Sequence, residues 1–154
     1  MKYAAIMDSP IGLLTLVEED GALTEVRFGS KAEDAMIGER PLLKQAVQEL
    51  NEYFSGQRKT FTVPLHPQGT PFQQRCWNAL LQIPYGETRT YGQQAAMIGN
   101  PKACRAVGMG NHCNPLPILI PCHRVVGANG KLTGYAGGLD IKETLLQIER
   151  MNPA

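Results

Sequence analysis

A break at residues 66–69 constrains this chain more than any other feature of its sequence. Proline and glycine both stand within these four residues, directly after a segment that alternates as a strand does. Two such residues in so short a stretch interrupt helices and strands alike. The chain has 154 residues, and the break predicts two small domains, residues 1–66 and residues 70–154, that share this length.

The composition supports folded domains and an uneven distribution of charge. Apolar residues make up 43% of the chain and charged residues 19%, which suits a buried core and excludes a disordered polymer. The net charge of +1 conceals ten acidic and five basic residues in positions 1–55, against four acidic and ten basic residues in positions 56–154. An acidic partner is therefore expected to meet the second domain.

The cysteines indicate a reducing compartment. None of the four, Cys76, Cys104, Cys113 and Cys122, belongs to a C-x-x-C pair. No apolar stretch approaches the roughly 20 residues that span a bilayer, and the first residues lack the apolar core of a signal peptide. We expect a cytoplasmic protein with free thiols and no membrane partner. Two disulfides are the alternative, which the absence of an export signal disfavours.

The first domain is predicted to contain strands around one helix. Turn signals at residues 8–10 and 20–21 separate three short apolar runs, which predicts an antiparallel meander. Apolar residues then recur at helical spacing from Pro41 until Gly56, and residues 59–63 alternate as a further strand would.

The second domain is predicted to be mostly helical, which makes the whole chain α+β. Thr70 and Pro71 form a helix start, and Cys76 lies on the apolar face of that helix. Thr90 caps a short helix that ends near Gly99, and a second helix opens at residues 100–101 and runs to about residue 110. Two short helices with a glycine turn between them predict a helix-turn-helix.

The second helix of this pair carries few large side chains. Between Ala103 and Gly110 it consists largely of alanine, glycine and valine, with Lys102 and Arg105 supplying positive charge. Such a helix can press its backbone into a DNA groove. Close helix-helix packing would use small residues in the same way, so both interpretations stay open here.

Cys122 is the candidate nucleophile. Pro121 breaks the apolar run before it, so we expect Cys122 at a strand end, presented to solvent, where His123 and Arg124 lower its pKa. A buried, unreactive thiol is the structural alternative. A zinc site of His112, Cys113, Cys122 and His123 is also conceivable, although adjacent ligands crowd one metal and the spacing fits no common finger.

The residues around Cys122 resemble the O6-alkylguanine-DNA alkyltransferases, also called methylated-DNA–protein-cysteine methyltransferases. The similarity rests on the sequence Pro-Cys-His-Arg-Val at residues 121–125, on Asn114-Pro115 before it, and on residues 134–138 and Lys142-Glu143 after it. It runs from about Thr70 to Glu149 and is highly specific around the cysteine. The first domain matches only in its layout.

This resemblance implies a role for each matching residue. Cys122 would accept the alkyl group, His123 and Glu149 would take the thiol proton through water, and Tyr91 would donate a proton to the departing guanine. The substrate-binding residues would be Asn114, Val125, Tyr135 and Ala136. The DNA-binding residues would be Tyr91, Gly92, Asn100, Ala103, Arg105, Ala106, Gly108 and Ala128, with Arg105 inserted into the base stack from the minor groove.

The implied reaction is direct reversal of DNA damage. The alkyl group of O6-alkylguanine, and also of O4-alkylthymine, would pass irreversibly to Cys122 after the nucleotide is flipped out of the duplex. The acceptor would be consumed in a single turnover, and no cofactor or metal is required. The implied partner is double-stranded DNA, and we expect a monomer in solution that can cluster on DNA.

The sequence departs from this family in two places. Residues 1–65 contain no cysteine or histidine, so the zinc site of some relatives is missing, and Ala136 replaces a serine that some relatives carry.

Two other functions remain as alternatives. A Cys-His hydrolase that works by acyl transfer would show many turnovers and no preference for damaged DNA. A binding-only relative would lack the acceptor cysteine, which this chain has.

Overall fold

The computed structural model describes residues 1–135 and 137–153. Contacts between residues divide the chain into two units, Met1–Gln68 and Gly69–Ala154, called unit 1 and unit 2 below. Strands dominate unit 1 and helices dominate unit 2, so the mixed α+β class predicted from the sequence is confirmed. In the part of the chain that is described, no helix combines the length and the apolar character needed to cross a membrane.

Unit 1 is built on a four-stranded sheet. The strands β1 (Lys2–Met7), β2 (Leu14–Glu19) and β3 (Ala22–Phe28) form the predicted antiparallel meander, with β2 between its two neighbours. A two-residue strand that the sequence did not indicate, β4 (Met36–Ile37), pairs in parallel with β1. The sheet order is therefore β3-β2-β1-β4.

One helix covers this sheet. The helix α1 (Pro41–Phe54) begins at the predicted proline and ends just before Gly56, whose φ of 80° is a left-handed conformation that favours glycine. Its buried face contacts the three long strands. The core of unit 1 consists mainly of aliphatic residues from these elements: Ala4, Leu14, Leu16, Leu23, Val26, Leu43, Ala46, Leu50 and Tyr53.

The strand predicted at residues 59–63 is wrong. A buried carboxylate, that of Glu49 on α1, accepts hydrogen bonds from the backbone N–H groups of Thr62 (2.8 Å) and Val63 (3.3 Å) and from the Thr62 hydroxyl (2.5 Å). These donors are thereby occupied, so they do not form a ladder with a neighbouring strand. The chain pairs with β3 only beyond this point, where Leu23 exchanges backbone hydrogen bonds with residues 64 and 66.

Unit 2 begins with two capped helices, as predicted. In α2 (Pro71–Leu81) the Thr70 hydroxyl accepts from the Gln73 N–H while the Gln73 side chain accepts from the Thr70 N–H. In α3 (Tyr91–Met97) Thr90 and Gln93 repeat the same arrangement. Each capping box satisfies two backbone groups that a helix start would otherwise leave unpaired, which explains why both starts were legible in the sequence.

The next helix starts later than predicted. The helix α4 runs over Cys104–His112, because residues 101–102 form a turn before it. A buried pair of amides joins α3 to α4: Gln94 Nε2 donates to Asn111 Oδ1 at 2.8 Å, and Asn111 Nδ2 donates to Gln94 Oε1 at 2.7 Å. On α2, the buried Trp77 donates from Nε1 to the Gly110 carbonyl at 3.0 Å. These contacts fix α4 against the two helices before it.

The remaining elements carry the end of the chain past Cys122. The strands β5 (Arg89–Thr90) and β6 (Val125–Val126) pair in parallel, and a 3-10 turn (Cys122–Arg124) directly precedes β6. The final helix, α5 (Leu139–Met151), packs against this turn. Cys122 therefore opens a 3-10 turn and does not end a strand, which corrects that detail of the prediction.

Candidate active site

The backbone before Cys122 is folded into a tight loop. Asn114 holds this loop with both ends of its side-chain amide: Nδ2 donates to the Ile120 carbonyl at 2.8 Å, and Oδ1 accepts from the Leu116 N–H at 2.9 Å. The Cys122 N–H in turn donates to the Ile120 carbonyl at 2.8 Å. The loop is thereby closed on itself, and it delivers Cys122 to a fixed position.

The Cys122 thiol is buried, contrary to expectation. Only 7% of the residue is exposed, although the sequence predicted a side chain presented to solvent. Burial raises the pKa of the thiol, because it disfavours the thiolate. Hydrogen bonds from Asn114 and Tyr135 and the charge of Lys142 act in the opposite direction. The expectation that His123 and Arg124 lower this pKa is wrong, since both side chains are engaged elsewhere.

His123 and Glu149 form a buried pair behind the cysteine. Their side chains are 0% and 1% exposed, and His123 Nε2 lies 2.6 Å from Glu149 Oε2. Burial lowers the pKa of His123, and the charges of Arg124 and Lys142 lower it further, while Glu149 raises it. The balance favours the neutral imidazole, which is the form that can accept a proton. The structure thus brings together two of the predicted catalytic residues, His123 and Glu149.

Arg124 also belongs to this cluster, although the sequence predicted it only as a residue that lowers the pKa of Cys122. Its Nε donates to Glu149 Oε1 at 2.9 Å and its Nη2 donates to Glu149 Oε2 at 3.1 Å, while Nη1 donates to the Ile83 carbonyl at 2.8 Å. The Gly86 N–H also donates to Glu149 Oε1 at 3.0 Å. Burial opposes ionisation of Glu149, but His123 and Arg124 hold the pKa of its carboxyl below the ordinary value. Glu149 is therefore a buried carboxylate with both oxygens occupied.

Tyr91 and Lys142 meet at the loop that follows β6. The Tyr91 hydroxyl donates to the Thr133 carbonyl at 3.0 Å, and Lys142 Nζ donates to the same carbonyl at 2.8 Å. Lys142 is fully buried on α5, where it lies seven residues before Glu149 and on the same side of the helix. This spacing of two charged residues on an otherwise apolar helix face was the signal that could have revealed Lys142.

The predicted substrate-binding residues lie around these side chains. Asn114 and Val125 are buried, and Val125 pairs with Arg89 across the two short strands. Burial raises the pKa of Tyr135, and its hydroxyl shares a hydrogen bond with Cys122. The fourth residue of this group, Ala136, lies outside the described residues.

The outer face of α4 carries the predicted DNA contacts. Arg105 and Ala106 are exposed there, whereas a Cβ added at Gly110 would stand 3.0 Å from the Cys76 sulfur. Small residues therefore serve packing on the inner side of this helix and leave its outer side bare. The other predicted contacts divide by exposure: Gly92, Asn100 and Ala128 are exposed, and Ala103 and Gly108 are half-buried.

The positions of the cysteines disfavour both alternative roles, the two disulfides and the zinc site. All four cysteines are free thiols, Cys76 and Cys122 being buried and Cys104 and Cys113 exposed. Within residues 1–135 and 137–153, no three histidine, cysteine or acidic side chains lie close enough to hold a metal ion. The zinc site of His112, Cys113, Cys122 and His123 is accordingly not formed.

Comparisons with known proteins agree with the resemblance noted from the residues around Cys122. Residues 71–151 match the sequence model of the DNA-binding domain of 6-O-methylguanine DNA methyltransferase, and residues 1–67 match that of its ribonuclease-like domain. The chain belongs to the 6-O-methylguanine DNA methyltransferase family. The first domain, which the sequence analysis matched only in layout, thus belongs to it as well.

Relatives of the family cover almost the whole chain. A methylated-DNA–protein-cysteine methyltransferase of Methanosarcina acetivorans is 53% identical over 152 residues, which cover 96% of this chain and 97% of the relative. The constitutive enzyme of that name from Bacillus subtilis is 47% identical over 161 residues, covering 99% and 98%. The crystal structure of Mycobacterium tuberculosis OGT in complex with DNA has a TM-score of 0.91 and 47% identity, covering 97% of this chain and 94% of that one.

Proposed function

We propose that the protein repairs DNA by transferring the alkyl group of O6-alkylguanine to the sulfur of Cys122. The observation that carries the proposal is the buried Cys122 beside the His123–Glu149 pair, whose Nε2–Oε2 distance is 2.6 Å, in a chain of this methyltransferase family. A nucleophile, a base and a residue that orients the base are the three parts that activation of a thiol requires.

The chemistry is a displacement at the alkyl carbon. The bond from Cys122 sulfur to this carbon forms as the bond from the carbon to guanine O6 breaks, and the electron pair of the broken bond remains on the guanine. His123 uses Nε2 for Glu149, so its other ring nitrogen, Nδ1, takes the thiol proton through water. Tyr91 gives the proton that neutralises the departing guanine and later regains one from His123.

The ionised Glu149 supports this sequence of proton transfers. An imidazole that accepts a proton becomes positively charged, and the neighbouring carboxylate stabilises that charge. The thioether that results on Cys122 is not readily hydrolysed, so each molecule acts once and needs no cofactor.

DNA is bound by the outer face of α4 in this proposal. The carbon under attack lies inside the duplex, so the nucleotide must be flipped out, at a cost of a few kcal/mol that an inserted side chain offsets. Arg105 is exposed on α4 and is the residue that we assign to this insertion from the minor groove. O4-alkylthymine presents an alkyl group on the same kind of exocyclic oxygen and is proposed as a second substrate.

The proposal includes the compartment in which the protein acts and its oligomeric state. Cys104 and Cys113 are exposed free thiols, which persist in a reducing compartment, so we place the protein in the cytoplasm. It acts as a monomer, with several molecules able to cluster along one DNA duplex.

The test is the intact mass of the protein after incubation with a duplex that carries one O6-methylguanine. We expect a gain of one methyl group per molecule, located on Cys122 by peptide mapping. Cys122→Ala should show no gain, and Cys113→Ala, which removes an exposed thiol, should behave as the unaltered protein. An unchanged mass, or a methyl group on another cysteine, contradicts the proposal. Repeated turnover on an ester substrate, with no preference for damaged DNA, would indicate the hydrolase instead.

A further inference from the structure

Met109 is a large apolar side chain on the outer side of α4. It is 63% exposed, although it lies within the helix and not at one of its ends. The other exposed residues of this side include Arg105, Ala106 and His112, and the apolar Val107 is buried. Among the residues of α4, Met109 is therefore the one large apolar side chain that is exposed. A single exposed methionine is ordinary on a protein surface, so its position decides what it can do.

Met109 lies between the residues proposed to insert into DNA and to protonate the base. It follows Arg105 by four residues, so the Cβ atoms of the two lie about 5–6 Å apart on one face of the helix. The residue before it packs on the proposed proton donor, since a Cβ added at Gly108 would stand 3.7 Å from Cε1 of Tyr91. Met109 is therefore located where the proposed function brings the damaged nucleotide out of the duplex.

The charges around Met109 match those of a nucleic acid. The sequence has no acidic residue between Glu87 and Asp140, while Lys102 and Arg105 are exposed at the start of α4. A DNA groove has phosphates along both edges, which basic side chains neutralise. Between these edges, the sugars and the base edges offer apolar surface to a methionine. The partner that covers Met109 is therefore a DNA duplex.

We propose that Met109 is an apolar wedge that enters the minor groove beside Arg105 and unstacks a second base step. Proteins that bind this groove insert methionine and other apolar side chains in the same way, and the resulting kink brings more DNA into contact. Four residues advance an α-helix by about 6 Å, which corresponds to about two base pairs of 3.4 Å each. The inference rests on the proposed function and adds a residue that its DNA-binding set does not include.

A wedge at a second step makes Met109 a determinant of sequence preference. Pyrimidine–purine steps such as T-A are easily unstacked, whereas A-tracts are stiff. The cost of inserting Met109 therefore depends on the base step that lies about two base pairs from the lesion. Arg105 inserts at the lesion itself, so it adds no preference at that distance. Lesions with a pyrimidine–purine step at the Met109 position should be bound more tightly than lesions in an A-tract.

Three substitutions test the wedge in a Cys122→Ala parent, in which no methyl transfer takes place during the titration. Met109→Ala removes the wedge, and Met109→Leu keeps an apolar side chain of similar size. Met36→Ala is the matched control, because it truncates a methionine that is 55% exposed on β4 in unit 1. Dissociation constants for a duplex with one O6-methylguanine are measured by fluorescence anisotropy at several salt concentrations, and thermal unfolding establishes that each variant is folded.

We expect Met109→Ala to raise the dissociation constant about tenfold, which is the scale for loss of a buried methionine side chain. The salt dependence of binding should stay the same, because an apolar contact releases no counterions. Met109→Leu should retain most of the affinity, and Met36→Ala should bind as the parent does. Equal dissociation constants for Met109→Ala and Met36→Ala would overturn the inference. A loss of affinity with a smaller salt dependence would overturn it as well, since it would indicate a phosphate contact.

A second measurement reports the unstacking directly and uses the Met109 side chain of the parent. The fluorescent base 2-aminopurine is placed two base pairs from the lesion, on either side, beyond the neighbours that lose stacking through base flipping. Binding of the parent should raise the fluorescence on one side, more at a T-A step than in an A-tract, and Met109→Ala should abolish the rise. The absence of a rise on both sides contradicts the inference. Failure of the unaltered protein to accept a methyl group contradicts the proposed function instead, which keeps the two failures distinct.

Discussion

Replacement of Glu149 by glutamine tests the buried cluster at the centre of the site. Glu149 Oε1 accepts from Gly86 N–H and Arg124 Nε, and Oε2 accepts from Arg124 Nη2 and contacts His123 Nε2, at distances of 2.6–3.1 Å. An amide offers one acceptor oxygen and one NH₂ donor. In either orientation of the glutamine amide, its NH₂ group faces an N–H of Arg124. A guanidinium has no acceptor for this donor, so the NH₂ group stays unpaired on that side.

The expected loss of stability follows from the burial of the Glu149–Arg124 ion pair. The Glu149 and Arg124 side chains are 1% and 8% exposed, so solvent does not screen their interaction. Removal of one partner from a buried pair costs about 3–5 kcal/mol. A change of 1 kcal/mol moves the melting temperature of a domain of this size by about 4 °C or more. We therefore expect Glu149→Gln to lower the melting temperature of unit 2 by at least about 12 °C at pH 7.

The assay is thermal unfolding followed by circular dichroism, with Glu143→Gln as the matched control on the same helix. Glu143 is exposed, so its substitution should leave the melting temperature almost unchanged. The folded pKa of Glu149 lies below the ordinary value of 4.5, so its stabilisation is complete above pH 4.5 and is lost as the pH falls through the folded pKa. The gap between the two proteins should accordingly narrow in acid. A Glu149→Gln variant as stable as the control at pH 7 would refute the reasoning.

Two further substitutions test the two sides of α4. Arg105→Ala should weaken binding to a duplex that carries O6-methylguanine and reduce the salt dependence of binding by about one phosphate contact or less. Methyl transfer from the free base should stay nearly unchanged. Equal loss with both substrates would show that Arg105 supports the fold. Gly110→Ala should destabilise unit 2 by about 1–3 kcal/mol in urea unfolding, because the added Cβ would stand 3.0 Å from the Cys76 sulfur. An unchanged unfolding midpoint would show that the packing adjusts freely.

Local signals in the sequence were sufficient for most of the helices. The two capping boxes, at Thr70 and Thr90, use residues three positions apart, so both partners are visible in one short stretch. The sequence around Cys122 was equally informative, because its pattern is specific to one family. What these signals share is that the interacting residues lie close together along the chain.

The features that the sequence did not reveal depend on distant partners. Residues 59–63 alternate as a strand does, yet Glu49, more than ten residues earlier, binds their backbone donors. Cys122 was expected to be exposed because Pro121 breaks the apolar run before it, but the loop held by Asn114 encloses it. The burial of Lys142 was likewise missed, because its only signal in the sequence was its spacing from Glu149, seven residues later on the same helix face.

If Cys122 accepts one alkyl group per molecule, as proposed, its burial affects how long a molecule stays able to react. A thiol open to solvent is a target for any small oxidant or electrophile, and each chance reaction would remove a working molecule. Cys104 and Cys113, which are exposed, would meet such reagents first, whereas Cys122 is enclosed and its raised pKa keeps it protonated. Burial thus protects the Cys122 sulfur from such reagents, and in the proposed single-turnover reaction this protection preserves the number of molecules that can still accept an alkyl group.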